Sequence, residues 1–228
     1  MTKKKVKKTK IKLIPLLVLI VILIILSIII KLLFDVKINN IYIHGNNRID
    51  DEYIINYLDL GDYPSYLKTI SWALEMKLKD NPYIKDAKVE KKFFGVLDIE
   101  ITEEDVLFYK DYDEKYVMSS KKEVDSLPYM YEPVVIINYI PDVEYNEFLN
   151  RYVRLSSSVI DKISEIKYDP NEFDTGRFLF YMIDGNYVYV TTTKLESIDY
   201  YNEIYPTLEG KKGTVDLDSG NHFHEFGT

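Results

Sequence analysis

Residues 81–103 read NPYIKDAKVEKKFFGVLDIEITE. Asn81-Pro82 is a stop: the residue before a proline avoids the right-handed helical region, so a helix coming from upstream ends there. Ile84 to Phe93 then sets Ile84 and Val89 among charges. From Val96 onward Leu97, Ile99 and Ile101 alternate with Asp98, Glu100 and Thr102. Period-two alternation marks strands, and Phe94-Gly95 between them marks a tight turn. Upstream, residues 65–79 carry Ile70, Ala73, Leu74 and Leu78 at helical spacing. Trp72 on that helix is expected to pack in the core or along the helix face rather than to anchor a partner. Leu60 to Pro64 breaks the pattern, and Asp50 caps a shorter helix running to Leu58. Gly45-Asn46-Asn47 is a turn, and residues 36–44 (VKINNIYIH) alternate as a strand. Residues 36–103 therefore read β-α-α-β-β, with helices on one face of a three-stranded sheet.

Before this module, Leu13 to Phe34 reads LIPLLVLIVILIILSIIIKLLF. As a helix these 22 residues span about 33 Å, enough for a hydrocarbon core of about 30 Å. The stretch is apolar on every face, unlike a soluble core helix. It is longer than a cleaved signal core, and no small-x-small site follows it. An uncleaved signal anchor is expected. Lysines 3, 4, 5, 7, 8, 10 and 12 precede it, which puts residues 1–12 in the cytoplasm and the rest outside.

Beyond Asp105 the pattern changes. Residues 106–112 and 115–118 read as a hairpin around Asp113-Glu114, and 134–139 as an apolar strand. Residues 144–163 read as one helix and 166–169 as a short strand. Two strands flank Asp184-Gly185-Asn186, a strong hairpin signal. A helix from Lys194 to Tyr205 stops at Pro206, and strands at 213–218 and 221–226 close the chain. The fold class expected is α+β: an anchor at 13–34, a first module at 36–104, and a second α+β domain with a mixed or antiparallel sheet at 105–228.

Charge and composition exclude several functions. Eight of the 29 basic residues precede Asp35, while all 37 acidic ones lie at or beyond it. The outer body carries 21 basic residues against 37 acidic, a net of −16. Such a body does not bind nucleic acid through phosphate contacts. The absence of cysteine removes disulfides, thiolate metal sites and cysteine nucleophiles. Glu103-Glu104-Asp105 is expected to be a solvated turn. Ser156-Ser157-Ser158 lies in a helix without a partnered histidine. His222 and His224 alternate on a strand and would need Asp218 or Glu225 to hold a metal. No catalytic, cofactor or metal site is expected.

A basic tail, one signal anchor and a β-α-α-β-β module close to the membrane resemble the FtsQ/DivIB family of bacterial division proteins, and the module resembles its POTRA domain. The first-strand G-N turn is Ile41-Tyr42-Ile43-His44-Gly45-Asn46, and the L-x-L-G helix end is Leu58-Asp59-Leu60-Gly61. The N-P-x-I-x-x-A-x-V run is Asn81 to Val89. The following strand pair, Lys91 to Glu103, has Gly95 where the family usually has proline. Tyr205-Pro206-Thr207-Leu208 and Gly213 to Gly220 are similar to the last helix and strand. The resemblance implies a non-enzymatic, single-pass scaffold at the division septum. Its outer domain would bind DivIC/FtsB-like and FtsL-like bitopic proteins and support septal peptidoglycan synthesis. The alternative is an anchored cell-wall enzyme or wall-polymer-binding protein. A partner strand is expected to pair with Thr214, Val215, Asp216, Leu217 and Asp218, with Tyr200 and Tyr201 beside it.

Overall fold

The computed structural model describes residues 13–227; the lysine-rich tail at 1–12 lies outside the described residues. Leu13–Phe34 form one helix, α1. Its side chains described from Ile14 to Phe34 are exposed within the chain, and it is long and apolar enough to cross a membrane. Then follow β1 (Asn40–His44), α2 (Asp51–Tyr57), α3 (Ser71–Asp80), β2 (Ile84–Lys92) and β3 (Val96–Glu103). The chain gathers into two compact units. One takes residues up to Gly45, Asp51–Leu78 and Ala87–Ile101, and the other takes Asn46–Asp50, Lys79–Asp86 and the residues from Thr102.

The first unit is the expected β-α-α-β-β module, with sheet order β1-β3-β2 and β1 parallel to β3. Ile38, Ile54, Leu58, Leu78, Val89, Leu97 and Ile99 are buried in it. Two boundaries differ from the sequence reading. The first strand begins at Asn40, not Val36, and α3 begins at Ser71, not Ser65. The two displaced stretches have found each other. Tyr66 N–H donates to Val36 O (2.8 Å), Ile38 N–H to Pro64 O (2.9 Å), and Lys37 bridges Ser65 antiparallel. Ser65 Oγ donates to Phe34 O at 2.5 Å. Trp72 stands outward, 70% exposed, instead of in the core, because the face of α3 that packs inward is the one carrying Leu74 and Leu78. Gly95, where the family pattern has proline, sits at φ +80°; a Cβ there would meet Lys37 O at 2.8 Å. Only glycine adopts that conformation at low cost.

The loop Asn46–Asp50 belongs with the second unit because Glu103 holds it. The Glu103 carboxylate accepts from the N–H groups of Asn47, Arg48 and Ile49 at 2.8–2.9 Å and from Arg48 Nε at 3.0 Å. The solvated turn expected at 103–105 is thus corrected: Glu103 and Glu104 are buried, with Ser119 Oγ donating to Glu104. Burial pushes the Glu103 carboxyl up, but the N–H donors and the Arg48 guanidinium outweigh it, leaving it below its ordinary value.

The second unit is built on a nine-stranded mixed sheet. Its strands are β4 (Val106–Lys110), β5 (Lys115–Met118), β6 (Glu123–Val124), β7 (Val135–Ile136), β8 (Ile163–Tyr168), β9 (Arg177–Met182), β10 (Tyr187–Thr191), β11 (Gly213–Asp216) and β12 (His222–Glu225). Their spatial order is β12-β11-β10-β9-β8-β7-β4-β5-β6. The helices are α4 (Asp142–Tyr152), α5 (Ser157–Ile160) and α6 (Tyr201–Thr207), the last entered through a 3-10 stretch at Thr192–Tyr200. Phe108, Phe148, Tyr152, Phe178 and Phe180 are fully buried, with Phe148 stacked on Phe178 at 4.6 Å.

The single helix expected over 144–163 is broken. Ser156 donates through its N–H (3.1 Å) and Oγ (2.7 Å) to Asp199 Oδ1, and these bonds displace the helical ladder. The strand expected at 134–139 shortens to two residues. Beyond it, the Asn138 amide donates to Tyr168 O and accepts from Tyr168 N, continuing the pairing with a side chain. Pro206 lies inside the last turn of α6 rather than beyond it.

Candidate partner-binding edge

The last two strands show how the expected site residues are placed. Val215 and Leu217 are buried against the helices, at 1% and 2% exposure, while Thr214 and Asp216 turn to the other face. β11 pairs parallel with β10 (Thr214 opposite Tyr187, Asp216 opposite Tyr189) and antiparallel with β12 (Thr214 opposite His224, Asp216 opposite His222). Leu217 N–H donates to Tyr189 O (2.8 Å), and Gly213 N–H donates to the Asn186 side-chain oxygen (2.8 Å). By alternation, Val215 N–H faces β10 as well. β11 therefore lies inside the sheet, with its backbone committed on both sides. Direct addition of a partner strand to Thr214–Asp218 is corrected on this ground. The outermost strand is β12.

Phe226 N–H donates to Lys212 O at 2.9 Å. The antiparallel register then turns His222 and His224 N–H groups toward β11 and Phe223 N–H away from it. The Phe223 ring packs against the core. Between α6 and the end of β11 and β12 lies a notch of about 370 Å³, lined chiefly by Tyr200, Ile204, Leu208, Val215, His222 and Phe223.

The two tyrosines expected beside the strand part company. Tyr200 is 57% exposed and borders the notch. Tyr201 is fully buried, which corrects its placement at a partner surface. Its hydroxyl donates to Asp184 Oδ2 (2.6 Å) and accepts from Asn186 Nδ2 (2.9 Å). Because Asn186 also accepts from Gly213 N–H, this amide ties α6 to the start of β11. Burial, then the bond to Asp184, pushes the Tyr201 hydroxyl above its ordinary pKa. The Asp218 carboxylate accepts from Arg177 Nε (2.9 Å), and Arg177 lies 3.5 Å over the Tyr189 ring. Asp218 is thus held by the sheet itself. His224 Nε2 lies 3.3 Å from Asp216 Oδ2. Among the described residues, no three His, Asp or Glu side chains come together in a way that could hold a metal.

The sequence reading missed Phe223, Ile204, Leu208 and Asn186. For Asn186 the available signal was the D-G-N turn itself, whose third residue is wholly buried.

Comparison with known proteins agrees with this architecture. Residues 36–104 match the family model described as POTRA domain, FtsQ-type. The chain is 27% identical to the cell division protein DivIB of Listeria monocytogenes, over 83% of its own length and 73% of the relative's. It is also 27% identical to DivIB of Bacillus subtilis, over 84% and 75%. A solved structure of the major extracytoplasmic domain of DivIB from Geobacillus stearothermophilus is a distant likeness. It is 19% identical, covers 47% of this chain and 96% of that one, and has a TM-score of 0.37. The family model marks residues 36–104 as an FtsQ-type POTRA domain, and over most of its length the chain is similar to the DivIB cell-division proteins.

Proposed function

We propose that this chain is a membrane-anchored, non-catalytic scaffold of the division machinery. α1 anchors it with residues 1–12 in the cytoplasm, while the POTRA module (36–104) and the second domain (105–228) lie outside, at the septum. The outer part captures a small bitopic protein of the DivIC/FtsB type, together with an FtsL-type protein, and ties them to septal peptidoglycan synthesis. The observation that supports this reading most is the end of the large sheet. Its outermost strand carries an outward donor at Phe223 beside a notch lined by both apolar (Ile204, Leu208) and polar (Glu203, Asn221) side chains. An added strand gains affinity from backbone hydrogen bonds and specificity from side-chain pockets. In this reading the added strand pairs with β12, and Thr214 to Asp218 act from the row behind it.

The test is binding of the full-length protein, in micelles, to the soluble segment of a DivIC-type partner. Phe223→Pro removes the outward donor, and Phe223→Leu keeps it with an apolar side chain. Pro should abolish binding while Leu retains it, both with an unchanged circular dichroism spectrum. Undiminished binding by folded Phe223→Pro removes β12 from the interface.

A further inference from the structure

The first unit exposes an unusual group of large apolar side chains. Tyr63 (48%), Leu67 (43%), Ile70 (61%), Trp72 (70%) and Met76 (45%) stand out along the segment from the end of α2 into α3. Phe93, on the turn between β2 and β3, is 87% exposed. Exposed apolar side chains scattered over a surface need no explanation, but several crowded into one segment and the turn bonded to it point to a contact surface.

What covers this one follows from its tethering. α1 ends at Phe34, and the next five residues run between the two apolar loops. On one side Ser65 Oγ donates to Phe34 O, Tyr66 N–H to Val36 O, and Ile38 N–H to Pro64 O. On the other side Asn39 N–H donates to Gly95 O (2.9 Å), within the same turn as Phe93. Tyr66 Oη donates to Lys92 O at 2.7 Å and closes the ring. Leu67, Ile70 and Trp72 thus follow within seven residues of a side chain bonded to the last residue of the span. A span of about 33 Å fills the hydrocarbon core, so Phe34 lies at its outer boundary and these loops at headgroup depth. Trp and Tyr are the residues that settle there. Lys37 and Lys68 are exposed in the same two segments, beside Asp35 and Asp62, and can reach anionic headgroups.

We infer that the loop Tyr63–Trp72, with Phe93, inserts into the outer leaflet of the membrane that α1 spans and holds the first unit down on the bilayer. The occupant is lipid, because the chain itself brings these side chains to the bilayer surface. This rests on α1 crossing the membrane.

Trp72 is the only tryptophan in the chain and reports directly. The full-length protein is reconstituted into vesicles of phosphatidylglycerol and phosphatidylcholine in equal parts. Flotation reports α1, and Trp72 fluorescence reports the loop. The expected result is blue-shifted emission, quenching by lipids brominated near the carbonyl end of the acyl chain, and protection from acrylamide. The double variant Leu67→Glu with Ile70→Glu should still float but lose the bromolipid quenching. A floating protein with acrylamide-open, bromolipid-insensitive Trp72 overturns this inference alone. So does protection that appears only when a DivIC-type partner is added, which would make the patch a protein-binding surface. A chain that does not float overturns the anchor reading and this inference with it.

Discussion

The nine-stranded sheet ends in two unlike edges. At one end β6 is two residues long, and its Glu123 is held by Lys110 Nζ at 2.7 Å. Lys110 is itself buried, bonded also to Asp113 (2.7 Å), with the Tyr112 and Tyr145 rings within 6 Å. Short, charged, internally satisfied strands are how sheets close an edge against other chains. At the other end β12 is four residues long, alternates histidine with Phe223 and Glu225 (the latter paired with Lys211 at 3.2 Å), and borders a notch of mixed polarity. One edge is closed by charge, and the other offers a backbone donor beside a place for a side chain.

The largest effect expected comes from proline one strand in from the β12 edge. Val215→Pro removes a donor facing β10 and places the ring inside the sheet. A loss of at least about 3 kcal/mol is expected, seen as a collapsed thermal midpoint by circular dichroism. Proline at Phe223, on the outermost strand, should lower the midpoint far less than at Val215, by no more than Phe223→Ala does, and cost roughly tenfold or more in partner affinity. If both prolines unfold the protein equally, β12 is not an edge in solution.

A smaller effect tests the brace behind the edge. Tyr201→Phe deletes the donor to Asp184 and leaves buried Asn186 Nδ2 without its acceptor. A destabilisation of about 1–3 kcal/mol is expected in urea unfolding. Partner affinity should be unchanged where the variant is folded, because Tyr201 does not reach the surface.

The closed edge should respond to pH within limits set by its ion pairs. Hydrogen bonding to Lys110 holds the Asp113 carboxyl below its ordinary 3.8. This contribution is complete above 3.8 and is lost as pH falls through the folded value. Burial lowers Lys110, but Asp113 and Glu123 outweigh it and leave it above its ordinary 10.5. That contribution is complete below 10.5 and is lost as pH rises through the folded value. Amide exchange at Tyr116 and Val117, corrected for intrinsic rate, should stay protected across the neutral range and open at both extremes. Lys110→Met should abolish both dependences.

Much of this was legible in the sequence where contacts are local. The Asp184-Gly185-Asn186 hairpin, the Phe94-Gly95 turn and the alternation of Val215 and Leu217 are read from neighbours in the chain. What was not legible depends on distant partners. β11 pairs with β10 in parallel across a crossover containing the 3-10 stretch and α6, and sequence order alone does not reveal that it is an inner strand. The break at Ser156 is made by Asp199, 43 residues away. α3 starts six residues later than its apolar spacing suggests because residues 64–66 are taken by the strap after α1, and Trp72 lies off the α3 face that buries Leu78. Tyr200 and Tyr201 look alike in sequence. Their different fates follow from the phase at which the 3-10 stretch hands over to α6.

That phase supports the smallest prediction. Tyr200 is more than half exposed and borders the notch, so its ring contributes little to folding. A partner strand on β12 would cover it, and covering part of one aromatic side chain at an interface rim is worth roughly 0.5–1 kcal/mol. Tyr200→Ala should therefore weaken binding about two- to fivefold with the thermal midpoint unchanged. The matching change at the opposite edge, Val124→Ala, should leave affinity untouched, since no partner reaches β6. Equal losses from Tyr200→Ala and Val124→Ala would mean that the partner does not distinguish the two edges. Charge and strand length would then not be what directs it.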